Sequence, residues 1–139
     1  MNTVIFHKVT EIAEIGEDLE IRRISGGPRG EIIMQASTQG DQLSTQLKWS
    51  YFFLRSDIGN MQELSPPAPG YFHVQPFGAT EMLWVDVRYR RGELNASRRD
   101  QSGQEVHAFH LGDGIEDIQV TQDEKIWVSY FDEGVGRLD

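Results

Sequence analysis

Apolar and polar positions alternate with a period of two in several short runs, and no run keeps a helical period. The clearest pair is Ile115 to Thr121 and Lys125 to Phe131, two strand patterns joined by the polar turn Gln122-Asp123-Glu124. Met82 to Tyr89 is another strand, with Leu83, Val85, Val87 and Tyr89 on one face and Trp84, Asp86 and Arg88 on the other. Lys48 to Asp57 is the most β-prone run. Its period of two sets Trp49, Tyr51 and Phe53 against Phe52 and Leu54. Weaker strands are expected at Val4 to Phe6, Glu20 to Ser25, Glu31 to Ser37, Met61 to Leu64, Tyr71 to Phe77, Leu94 to Asp100 and Gln104 to Leu111. Glu11 to Leu19 is the one place where a helical turn is admissible, and Thr38 to Leu47 is a polar loop.

Turn chemistry punctuates these runs. Gly26-Gly27-Pro28-Arg29-Gly30 and Gln101-Ser102-Gly103 are turns by composition. Ser65-Pro66-Pro67-Ala68-Pro69-Gly70 marks a boundary between units, because three prolines cannot sit in a central strand. The stretch is too short to separate two domains, so residues 1–139 are expected to form one all-β domain.

The runs superpose as a four-strand template used about two and a half times, over residues 20–64, 71–111 and 115–139. First strands begin near Glu20, Tyr71 and Ile115, at spacings of 51 and 44 residues. Second strands are EIIMQAS, MLWVDVRY and KIWVSYF. Third strands WSYFFLRSD and LNASRRD both end in Arg-x-Asp before a glycine turn (Arg55 and Asp57; Arg98 and Asp100). Spacings of this size match repeat units of propeller type.

The template resembles β-propeller blades of the NHL or two-component-regulator kind, in which a strand, a turn and an Ile-Trp-Val strand recur, as at Ile126-Trp127-Val128. GDGIEDIQ…IWVSYFDEGV also resembles a stretch in uncharacterised bacterial proteins of propeller type. The resemblance covers about Leu94 to Val135 well and the first half weakly. It implies a fold and no activity, because propellers host enzymes, sensors and scaffolds alike. Propellers close with 4–8 blades as a rule. The reading is therefore an incomplete propeller, with Lys125 to Phe131 and Val4 to Phe6 as open edges. Such edges invite pairing with another chain, as in a homo-oligomer, or with the chain's own N-terminal strand. The tryptophans Trp49, Trp84 and Trp127 are expected to pack between neighbouring blades.

Composition narrows the function classes. There is no cysteine, hence no thiol nucleophile and no thiolate metal site. The net charge of −9 disfavours nucleic acid and anionic membranes as partners. The N-terminus turns acidic too soon for a signal peptide, no run is long enough to span a membrane, and the reading is a cytoplasmic protein. The sequon Asn95-Ala96-Ser97 is read as chance.

Two clusters could carry recognition. One is Asp113, Glu116, Asp117, Asp132 and Glu133, flanked by Trp127 and Tyr130. Carboxylates in this number could serve acid–base hydrolysis or hold a cation, yet no calcium-loop pattern is present, and turn capping is the plainer role. The other is the arginine group Arg88, Arg90, Arg91, Arg98 and Arg99, which could grip an anionic ligand or pair internally with acids. The histidines show no zinc spacing, and neither a catalytic residue, a metal nor a cofactor is assigned. The favoured function is a non-enzymatic protein-interaction module. Asp113, Asp117, Trp127, Tyr130, Asp132, Glu133, Arg88 and Arg90 are its candidate binding residues. The rivals are a small-ligand sensor or propeller-type hydrolase using the loop-end carboxylates, and an acidic inhibitor of a basic protein surface.

Overall fold

A computed structural model describes residues 19–38, 51–57, 60–68, 70–88 and 92–131. These form ten strands and no helix. The strands are β1 (Leu19–Gly26), β2 (Ile32–Thr38), β3 (Tyr51–Asp57), β4 (Asn60–Leu64), β5 (Phe72–Phe77), β6 (Glu81–Asp86), β7 (Ala96–Arg99), β8 (Glu105–Phe109), β9 (Ile115–Val120) and β10 (Ile126–Tyr130). They make three antiparallel sheets: β1-β2-β3-β4, β5-β6-β7-β8 and β9-β10. The protein is thus all-β, with one sheet within residues 19–64, one within 72–109 and one within 115–130. The proposed strand Val4 to Phe6, the helical turn before Leu19, most of the loop after Thr38, and Trp49 lie outside the described residues.

The strand ends differ from expectation where side-chain chemistry decides. The β6 strand stops at Asp86, not Tyr89, because Asp86 Oδ1 accepts the backbone N–H of Arg88 at 3.1 Å and bends the chain. The β5 strand contains Pro76, paired with Met82. That is tolerable because β5 is an edge strand, with a neighbour only in β6.

Three hairpin turns share one hydrogen-bond pattern. Gly27 N–H donates to Glu31 O at 2.8 Å and Gly30 N–H to Gly27 O at 3.4 Å. Asp100 N–H donates to Gln104 O and Gly103 N–H to Asp100 O, both at 3.0 Å. Thr121 N–H donates to Lys125 O at 2.9 Å and Glu124 N–H to Thr121 O at 3.0 Å. The fourth residue of each turn takes positive φ: Gly30 at 83°, Gly103 at 85° and Glu124 at 65°. Glycine suits this position and a side chain does not. Glu124→Gly is therefore expected to stabilise the fold by about 1 kcal/mol, read as a higher urea midpoint at unchanged m.

The Asp100 carboxylate closes its turn by accepting from Ser102 N–H (2.9 Å), Ser102 O–H (2.6 Å) and Gln104 N–H (3.0 Å). These bonds, the Ser102 hydroxyl first, hold its acidity below the ordinary aspartate value.

Two cores join the three sheets. Ile33, Phe52 and Leu64 of the first sheet pack with Phe72, Val74 and Trp84 of the second. Phe77, Leu83, Val85 and Ala96 on the second sheet's other face pack with Ile115, Ile118 and Val120 of the third. The alternation within β6 sends Trp84 one way and Leu83 and Val85 the other, as the period of two requires. Trp84 meets Phe52 edge-on at 5.1 Å and Phe72 at 5.9 Å between ring centroids. A further cluster, Met34, Ala36 and Phe53, lies on the other face of the first sheet.

Candidate functional site

Polar groups from the first strand of each sheet, β1, β5 and β9, meet one another. Gln75 is 1% exposed. Its Nε2 donates to Gly26 O at 3.0 Å, and its Oε1 accepts from Gln119 Nε2 at 3.1 Å. Gln119 Nε2 also approaches Gly26 O at 3.3 Å. Arg23 and Asp117 form an ion pair at 2.5 Å in the same cluster. At the turns, Gln122 Nε2 donates to Pro28 O at 3.1 Å, and Arg29 Nη1 donates to Gly78 O at 2.9 Å. Side chains thus tie the first sheet to the third although their residues are more than ninety positions apart in sequence.

His73 is buried beside this pair. Burial, and then the Arg23 guanidinium, lowers its pKa below 6.5. The Asp117 carboxylate and hydrogen bonding to the backbone at Ile115 and Glu116 pull the other way. On balance the fold favours the neutral imidazole over the charged form. Above pH 6.5 both folded and unfolded chains are neutral here, and stability is full. As pH falls below that value the unfolded chain binds the proton first, so stability declines toward the folded pKa. The urea midpoint is expected to drop as pH falls below 6.5, and His73→Gln is expected to flatten that drop.

The space enclosed by Arg23, His73, Gln75 and Asp117 has a volume near 20 Å³, enough for about one water. With the ion pair closed and the amides satisfied, this arrangement holds sheets together and leaves no room for an organic substrate. Among the described residues, no group of three or more His, Asp or Glu is placed to hold a metal ion.

Of the sequence-derived candidates, Arg88, Asp113, Asp117, Trp127 and Tyr130 are described. Asp117 joins the polar cluster through Arg23. Tyr130 donates its hydroxyl to Leu111 O at 2.5 Å. Gly112 lies against the same ring, where an added Cβ would come within 3.2 Å. Asp113 sits in the loop beside it. Arg88 places its guanidinium 5.8 Å from the centre of the Phe131 ring. Arg90, Asp132 and Glu133 lie outside the described residues. Internal pairing is found for Arg98, bonded to Glu81 at 2.8 Å, and for Arg99, within 3.5 Å of Glu105.

Trp127 requires a correction. It was expected to pack between sheets, and it is 67% exposed. Counting pairs from each hairpin turn gives the reason. The third pair is Ser25↔Ile33 in the first sheet, Gln75↔Leu83 in the second and Gln119↔Trp127 in the third. Ile33 and Leu83 are buried against the sheet that follows. Trp127 occupies the same register position, and no described sheet follows its own. The sequence alignment of Trp127 with Trp84 was one residue out of register, which reverses the face.

The residues missed by sequence reasoning are Arg23, His73, Gln75 and Gln119. The repeated Gln75 and Gln119, each at the same pair of its hairpin, was the signal that could have found them. The chain matches no protein-family model, no curated protein and no solved structure. Among the described residues no helix is long and apolar enough to cross a membrane.

Proposed function

We propose that the protein is a non-enzymatic interaction module of propeller-like build, which recognises another chain by adding strands at β10. The observation that carries this reading is the exposure of Trp127 at the register position where Ile33 and Leu83 are buried. Two further features agree. The third sheet has two strands where the others have four, and β10 has one partner among the described residues. The sequence of β10, Ile-Trp-Val-Ser-Tyr, carries neither the charge nor the proline that protects an open edge.

The partner that best fits is a second copy of the chain. Two β10 strands running antiparallel about a two-fold axis make a continuous sheet in the order β9-β10-β10-β9. That gives the same four strands as the other sheets, through a self-complementary contact. Each copy carries a net charge of −9, so association is expected to tighten as salt screens the repulsion.

Sedimentation equilibrium of wild type, Trp127→Ala and Ser129→Lys tests the reading. Both substitutions fall on exposed positions, so the urea midpoint of the isolated chain should stay within about 0.5 kcal/mol. The self-association constant should fall at least about tenfold, as expected for losing an aromatic anchor or placing a charge in a paired edge. Equal association of all three proteins would remove β10 from the interface.

A further inference from the structure

A furrow separates the outer strands of the first two sheets. Near Trp84 the sheets are in contact through Phe52. One half of the furrow has a volume of about 390 Å³, with Leu54, Leu64, Met82 and Trp84 among its walls. The other half, about 220 Å³, runs past Phe72, Trp84 and Leu94 toward the Pro67-Ala68 segment. Trp84 and Arg99 line both halves, so the two lie side by side.

Among the described residues, the charge that lines the furrow is mainly acidic. Four acidic side chains and one arginine line the larger half, and three acidic side chains and two arginines line the smaller, Arg99 being common to both. Arg99 is held against the wall by Ser97 Oγ at 3.1 Å, Gly103 O at 3.1 Å and Glu105. Arg99 thereby offsets Glu105, as Arg98 offsets Glu81, and the acidic balance of the larger half rests on Glu31, Glu63 and Asp100.

We infer that this furrow docks an extended, lysine- or arginine-bearing segment of a partner protein, which places an apolar side chain beside Leu54 and Met82 and basic side chains along the rim. The two adjoining halves suit an extended chain. The apolar wall supplies burial, and the acidic rim supplies orientation and rejects anionic segments. This surface lies on the far side of the second sheet from β9 and β10, so the inference does not rest on self-association.

Two synthetic peptides of equal length test it, one alternating leucine with lysine and the other leucine with glutamate. Each is titrated into the ¹⁵N-labelled full chain while amide and indole resonances are followed. The lysine peptide is expected to shift the Trp84 indole and the Glu81 and Ser102 amides saturably, and the glutamate peptide is expected to leave them unmoved. Glu63→Lys, on the exposed rim, should weaken the lysine peptide about fivefold. Ala79→Trp, at another exposed wall position, should block it. Trp127→Ala should bind the lysine peptide as wild type does, whatever its own oligomeric state. Equal shifts by both peptides, no shift at millimolar peptide, or shifts confined to β10 would each overturn the inference.

Discussion

Trp84→Ala is expected to cost about 3–5 kcal/mol of folding free energy, a large share of the total for a domain of this size. Trp84 is 3% exposed and bridges the first two sheets, with Phe52 and Phe72 both edge-on to its ring. Truncation leaves a cavity that neither sheet can close, because Val74 and Leu64 are already packed beside it. It also removes two aromatic contacts, each worth about 0.5–1.5 kcal/mol beyond area burial. Urea denaturation followed by far-ultraviolet circular dichroism measures the loss. A cost under about 1 kcal/mol would mean that the first two sheets do not share a core.

Asn95→Ala is expected to cost about 2–4 kcal/mol through polar groups rather than packing. The Asn95 side chain is buried and ties two connections together. Its Nδ2 donates to Asp86 O at 3.2 Å and Gly112 O at 2.7 Å, and its Oδ1 accepts from Leu111 N–H at 2.9 Å. Alanine leaves the Leu111 donor and the Gly112 acceptor without this partner, at about 1–3 kcal/mol each. Guanidinium denaturation of the variant gives the number, and a near-neutral result would show that the clamp is dispensable. The same contacts explain why the Asn95-Ala96-Ser97 sequon is structural: its amide nitrogen already serves two carbonyls and faces inward.

Much of the fold was legible because strands with one buried face write their period into the chain. The alternation in β3 and β6 placed Phe52 against Phe53 and Trp84 against Leu83 correctly. Turn residues placed the hairpins at Gly27–Gly30 and Asp100–Gly103, and the Pro66-Pro67 stretch fell between sheets as expected. The register between units was not legible. A shift of one residue in matching Trp84 to Trp127 reverses the face, and nothing local to the sequence fixes that count.

The polar cluster was harder still. The pairing of Arg23 with Asp117 depends on two strands more than ninety residues apart meeting. Periodicity reports which face is buried and not which strands become neighbours. The carboxylates were read from their crowding in sequence, and of these Asp113, Glu116 and Asp117 are described. Asp117 serves an ion pair with Arg23. Among the described residues the structure has three antiparallel sheets, two of four strands and one of two.

Amide hydrogen exchange of β10 at several protein concentrations tests the central claim most directly. The claim expects protection at Ile126 to Tyr130 to rise with concentration, while β2 and β6, already inside their sheets, stay unchanged. Protection of β10 that is the same at every concentration would contradict it, and would mean that no second chain completes the third sheet.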